Sequence, residues 1–188
     1  INAVGTEKTV DYALEAAKFA AIPGLDPDVL RKLNILRNGI VLPAPTTEGA
    51  ATQLNEIATR LNSAYGKGKG TLNGQPINGS DIEEQMGNLE RTPAELAEMW
   101  ASWHTGVGAP MKDDYAQMVG IANQGAKELG FADVGAMWRS GYDMPPAEFT
   151  AMTERLWNEL KPLYVELHTY VRGKLNEKHG DAVQGRTG

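Results

Sequence analysis

The chain has 188 residues, 41% of them apolar and 22% charged, with a formal charge of −6 and no cysteine. This is enough chain for one substantial core, and the acidic balance excludes general nucleic-acid binding, which wants a basic surface. Without cysteine there are no disulfides, thiolate zinc sites or thiol nucleophiles, and no apolar run approaches the ~20 residues of a membrane helix.

The chain opens on Ile1, which is read as an upstream segment having been removed. The pattern is then helical nearly throughout. Thr9 to Ala21 is an alanine-rich helix. Asp26-Pro27 starts another, because Asp caps well and Pro suits the first turn, and it runs through Leu30, Leu33, Ile35 and Leu36. Thr46 to Tyr65 is a third, with Leu54, Ile57, Ala58 and Leu61 at helical spacing. Gly66-Lys-Gly-Lys-Gly70 and Leu72-Asn73-Gly74-Gln75 break the pattern, and Asn-Gly favours a short hairpin near 66–76.

Ser80-x-x-Glu83 and Thr92-Pro93-Ala94-Glu95 have the form of capping boxes. The second opens a helix through Leu96, Met99, Trp100 and Trp103, which Gly106 and Gly108 are expected to end. Pro110 to Gly130 is a further helix, with Tyr115, Met118, Val119, Ala122 and Ala126 expected inward. In the last helix Phe149, Met152, Leu156, Leu160, Leu163, Leu167, Val171 and Leu175 step by three or four residues, and Pro162 is expected to kink it. The tail from Ala182 to Gly188 reads as flexible or truncated. The fold class is all-α with one small hairpin, and 1–188 reads as a single, incomplete helical subdomain.

The candidate chemistry is sparse. Imidazole is available only at His104, His168 and His179. On one straight helix, at a rise of ~1.5 Å per residue, His168 and His179 lie about 16 Å apart. They cannot share a zinc ion whose ligands sit at about 2 Å. The glycines and lysines of 66–71 lack P-loop spacing and a preceding apolar strand, so a turn is the better reading. Asn78-Gly79-Ser80 fits a glycosylation sequon, which matters only in a eukaryotic secretory setting. No Gly-x-Ser-x-Gly elbow ties a serine to a base. Glu95, Glu98, Asp113, Asp114, Glu154, Glu159 and Glu166 fall at helix starts or on polar faces and read as solvated, with acid–base work the lesser reading. Trp100, Trp103, Trp138 and Trp157 read as packing residues. Arg139 could satisfy carbonyls, pair with a carboxylate or face an anion.

From about Leu89 to Gly180 a set of ordered strings accumulates. They are Trp100-Ala-Ser-Trp103-His104, Gly108 and Pro110-Met111, Tyr115-x-x-Met118-Val119, Ala122-Asn123-x-x-Ala126, and Gly130 to Ala136 followed by Trp138-Arg139-Ser140-x-Tyr142. Glu154-Arg155-Leu156-Trp157 and Leu160-x-Pro162-Leu163-Tyr164-x-x-Leu167-His168-x-Tyr170-Val171-Arg172 complete the set. In order and spacing they resemble the N-terminal half of zinc dipeptidyl carboxypeptidases of the angiotensin-converting enzyme family. Before residue 85 only the helical pattern agrees.

The resemblance implies an almost wholly helical protein with a deep channel, which removes dipeptides from the C-terminus of oligopeptides. It implies zinc held by a His-Glu-x-x-His and a later glutamate, a motif this sequence lacks, so the ligands are expected in a C-terminal half of the same protein. This chain would then form one wall of the channel and be inactive alone. Tyr142 matches a tyrosine that binds an activating chloride together with an arginine from that later half. His104 stands where many members have a chloride-binding arginine. An imidazole is a poor substitute for a permanent guanidinium charge, so no chloride is expected there. Absence of cysteine favours a bacterial member, periplasmic or secreted. The expected partners are an oligopeptide and the C-terminal half, with no nucleic acid and no membrane. The competing reading is a self-contained helical binding module without peptidase activity. A helical enzyme using its own carboxylates ranks below both.

Overall fold

The computed structural model describes residues 3–180. In chain order these form α1 (Ala3–Ala20), α2 (Pro27–Asn38), α3 (Ala50–Lys67), β1 (Lys69–Leu72), β2 (Gln75–Asn78), α4 (Gly79–Met86) and α5 (Pro93–Trp103). A π-helical turn (His104–Gly108), α6 (Ala109–Glu128), α7 (Val134–Arg139), a 3-10 turn (Ser140–Tyr142) and α8 (Pro146–His179) follow. The fold is therefore helical with one small antiparallel hairpin, as the sequence pattern indicates. The tail from Ala182 to Gly188 lies outside the described residues. The chain divides into two compact units, one of residues up to Ala64 with Met111–Phe149, the other of Tyr65–Pro110 with residues from Thr150 onward.

In the first unit the core joins α1, α6, α7 and the extended segment after α2. Val10, Ala13, Ile40, Ala122, Ala126, Leu129, Val134 and Met137 are buried together. A second cluster holds Ala44, Ala51 and Leu54. Small residues on α6 decide how this works. A Cβ on Gly125 would lie 2.4 Å from the Pro43 carbonyl oxygen, so only glycine lets the 43–44 backbone lie against the helix. Asp26 caps α2 by accepting the Asp28 amide, as its sequence predicts. α6 ends in a Schellman arrangement, with Gly130 at φ +84° and bonds from Phe131 N to Ala126 O and Gly130 N to Lys127 O. Arg37 donates to the Leu129 carbonyl from Nε and Nη2 and lies over the Phe131 ring.

In the second unit β1 and β2 pair with Leu72 opposite Gln75, closing on the two-residue loop Asn73-Gly74. Both loop residues have positive φ, 53° and 73°, the type I′ geometry that Asn-Gly favours. α5 grips this loop. Glu98 accepts the Asn73 amide at 2.8 Å and the Gly74 amide at 2.9 Å, and Glu95 accepts Asn73 Nδ2 at 3.1 Å. The Thr92–Glu95 capping box is complete. Hydrogen bonds from the Thr92 amide, Asn73 and the Thr92 hydroxyl hold the Glu95 carboxyl down at about 2. The Gly74 amide is the main cause of a lowered Glu98. Met99 and Ile82 are buried, and the Trp103 ring packs so close to Gly79 that a Cβ there would meet it at 2.7 Å.

Several local expectations are corrected. α1 begins at Ala3 rather than Thr9, and α3 begins at Ala50 rather than Thr46, because Gly49 sits at φ +80° and interrupts the helix. The cap of α4 is Asn78, which accepts from Asp81, so Ser80 falls inside the first turn. Gly106 and Gly108 do not end a helix. Neither adopts positive φ, and the chain passes through the π turn directly into α6. Tyr115 points outward. Trp100, Trp138 and Trp157 are half exposed rather than packed away. Pro162 lies inside α8, as its place in the sequence pattern indicates.

Gly125→Ala is expected to cost at least about 2 kcal/mol, because the clashing atoms are backbone and cannot yield cheaply; the urea midpoint should fall at unchanged slope. Glu95→Gln keeps the box acceptor but removes the charge. Because the folded Glu95 is depressed to about 2 from its ordinary 4.5, its charge stabilises the fold above pH 4.5, and that contribution is lost as pH falls towards 2. The melting temperature of the native chain should thus exceed that of the variant near neutrality, with the gap closing over that acid window.

Candidate functional site

Tyr142 is placed by a short run of locally specified structure. Asp133 caps α7 by accepting the Ala136 amide at 2.6 Å, and Asn123 on α6 accepts the Val134 amide at 3.0 Å. Met137, fully buried, anchors α7 in the core. The Trp138 indole donates to the Val41 carbonyl at 2.8 Å, tying the helix to the extended segment after α2. Ser140 Oγ donates to the Met137 carbonyl as the helix tightens into the 3-10 turn. Asp143 then adopts φ +58°, which reverses the chain towards α8.

The result is an exposed phenol on a fixed turn. Tyr142 is 59% exposed, and its ring stacks on Phe149 with centroids 4.2 Å apart. Next to it Asp143 pairs with Arg31 of α2 at 2.7 Å, in the open. The same turn and α2 line a cavity of about 540 Å³ that includes Arg31, Arg37, Phe131 and Asp143. A phenol hydroxyl in this position can donate one hydrogen bond to an anion. The Arg139 Nε, one residue past Trp138, is buried without a hydrogen-bond partner.

His104 belongs to the other unit. Its ring stacks on Trp100 at 4.1 Å, and its Nδ1 is 2.7 Å from the Trp100 carbonyl oxygen. The imidazole is thus held against its own helix. His168 lies on α8, stacked on Tyr164 at 5.9 Å. Among the described residues no group of three or more His, Asp or Glu side chains could hold a metal ion. A zinc centre takes three or four protein ligands, a set that the described residues do not bring together.

The carboxylates divide into kinds. Asp114 forms a two-point pair with Arg60, through Nε at 3.0 Å and Nη2 at 2.7 Å, and this partner lowers its pKa. Glu159 pairs with Arg155 one helical turn away. Glu95 and Glu98, read from sequence as solvated, instead hold the hairpin loop. Their spacing of one turn on α5 was a usable signal only if the Asn-Gly loop was already known to face them.

The family model described as "Angiotensin-converting enzyme" (Peptidase_M2) matches residues 1–188. The chain belongs to the angiotensin-converting enzyme family. It is 36% identical over 142 residues to angiotensin-converting enzyme of Mesocricetus auratus, covering 74% of this chain and 11% of that protein. It is 31% identical over 159 residues to the Oryctolagus cuniculus enzyme, covering 83% and 12%. It is also 31% identical over 171 residues to the angiotensin-converting enzyme-like protein Ace3 of Mus musculus, covering 90% and 22%. The chain thus spans about an eighth or less of the first two relatives. No helix among the described residues is long and apolar enough to cross a membrane.

For this angiotensin-converting enzyme family chain, Asp133→Ala should remove the α7 cap and cost about 1 kcal/mol. Urea denaturation measures the loss, and the exchange rates of the α7 amides should rise more than those of α3.

Proposed function

We propose that this chain is the N-terminal helical part of a zinc-dependent peptidyl-dipeptidase, forming one wall of the channel through which oligopeptides reach the zinc and lose C-terminal dipeptides. The zinc ligands belong to the remaining half of the same protein, and the chain alone is inactive. The observation that carries this reading is α8. Of its described residues none is buried, although Leu160, Leu163, Tyr164, Leu167 and Tyr170 are 54–64% exposed along its length. A contiguous apolar surface of this kind marks an interaction site. The remaining half of the peptidase is the occupant that the family membership supports.

Tyr142 donates its hydroxyl to an activating chloride whose second ligand is an arginine of the remaining half. His104 holds no chloride, since its ring is engaged with Trp100 and carries no guanidinium fork. The protein works outside the cytoplasm, secreted or in the periplasm of a bacterium. The wall built by this chain keeps folded proteins out and leaves the chemistry to groups elsewhere.

The test uses the complete protein and a short peptide with a free C-terminus. Dipeptide release should stop on chelation and return with zinc, and the 188-residue chain alone should release none. Tyr142→Phe should raise the chloride needed for half-maximal activity about tenfold, the worth of one hydrogen bond to a charged group. Release of dipeptide by the isolated chain would overturn the assignment of zinc to the missing half. An unchanged chloride response would remove Tyr142 from the anion site.

A further inference from the structure

The Asn73-Gly74 loop combines the fastest-cyclising dipeptide chemistry of proteins with two carboxylates aimed at its reacting groups. In an Asn-Gly pair the backbone nitrogen of the glycine can attack the side-chain amide carbon of the asparagine, since glycine offers no Cβ in the way. The nitrogen loses its proton to solvent base, the N–Cγ bond forms, and Nδ2 leaves as ammonia. One water then opens the resulting succinimide, at either carbonyl, to give aspartate or isoaspartate. The sum is asparagine plus water giving a carboxylic acid plus ammonia, with no oxidant or further reactant.

Both reacting groups are occupied here. The Gly74 N–H, which must be deprotonated, donates to Glu98 Oε1 at 2.9 Å, and the Asn73 N–H donates to the other oxygen of that carboxylate at 2.8 Å. The leaving nitrogen, Asn73 Nδ2, donates to Glu95 Oε1 at 3.1 Å, and Arg91 Nη1 donates to the same oxygen at 3.1 Å. A carboxylate beside an N–H disfavours the anion that loss of its proton would create. Asn73 is exposed.

We propose that Asn73 is a deamidation site held in check by Glu98 and Glu95, and that its conversion releases the hairpin from α5. The second half follows from charge. A carboxylate at position 73 replaces a donor by an acceptor against Glu95, close to Glu98, and like charges at such distances repel. Isoaspartate also inserts a methylene into a two-residue loop whose register depends on its length. Glu95 and Glu98 are both held below the ordinary carboxylate range, so they remain ionised wherever the cyclisation is fast. The site stands apart from the peptidase reading and survives its failure.

The test is ageing at fixed, mildly alkaline pH, with peptide mapping by mass spectrometry of the segment from Gly70 to Asn78. The folded chain should convert Asn73 at least about tenfold more slowly than the same chain in denaturant, the effect of one unit in the acidity of the Gly74 amide. Glu98→Gln should speed conversion several-fold, whereas Glu83→Gln, an exposed acid away from the loop, should not. Asn73→Asp should raise amide exchange at Gly70 and Ile77, which pair across the hairpin, while leaving α6 protected. Equal rates in folded and denatured chain would overturn the protection, whether or not the Glu98 variant folds. Unchanged hairpin exchange in Asn73→Asp would overturn the release.

Discussion

The Pro43 carbonyl against Gly125 is the contact on which the first unit depends. It brings an extended segment without hydrogen-bonding neighbours of its own kind into the middle of a helical core. Pro43 is fully buried and Ala44 nearly so. Burial of irregular backbone is costly unless its polar groups find partners, and the segment meets that constraint at its margins. The Thr46 amide donates to Glu128, and the Val41 carbonyl accepts the Trp138 indole. Glycine and alanine on α6 are what allow this. With larger residues at 122, 125 and 126 the segment would be pushed off, and α7, which Trp138 ties to it, would lose its anchor. The exposed Tyr142 turn thus inherits its position from a row of missing side chains one helix away.

The second unit rests on the opposite device. Where the first excludes side chains, the hairpin is fixed by polar side chains that reach back to backbone. Glu98 gives two lone-pair acceptors to two successive amides of a type I′ loop, and Ser102 gives one to Thr71. A two-stranded hairpin is marginal in water alone. Here α5 supplies the missing stability through hydrogen bonds to charged groups, which are stronger than neutral ones. The same bonds restrain the chemistry of Asn73, so stability and chemical durability of the loop share one cause.

Most helices were legible because their signals are local. Asp26-Pro27 and Thr92-x-x-Glu95 state their caps outright, and Asn73-Gly74 states its turn type. The failures were also local in form but tertiary in cause. Ser80-x-x-Glu83 lost to Asn78 because β2 delivers Asn78 in extended conformation directly at the helix start, with its side chain free to accept from Asp81. Gly106 and Gly108 look like stops, yet burial of Val107 and the neighbouring turns hold them helical. The Tyr142 turn could be picked out only by resemblance. Nothing in Trp-Arg-Ser-Gly-Tyr-Asp says by periodicity that the phenol will be exposed on a fixed corner.

α8 shows why an apolar stripe at helical spacing does not by itself name its partner. The pattern from Phe149 to Leu175 was sufficient to predict a helix and to predict that one face seeks burial, and only the first is satisfied within these residues. The helix persists for other reasons. Arg155–Glu159 and Lys174–Glu177 pair along its surface, Glu148 lies in its first turn, and Lys178 and His179 in its last oppose the helix dipole. Such terms are each worth a few tenths of a kcal/mol, whereas burying one leucine is worth about 1.5–3 kcal/mol. The small terms can hold a helix of 34 residues in water. They cannot offset the cost of leaving Leu163, Leu167 and Tyr170 wet, so the larger free energy of this helix is realised only when that face is covered.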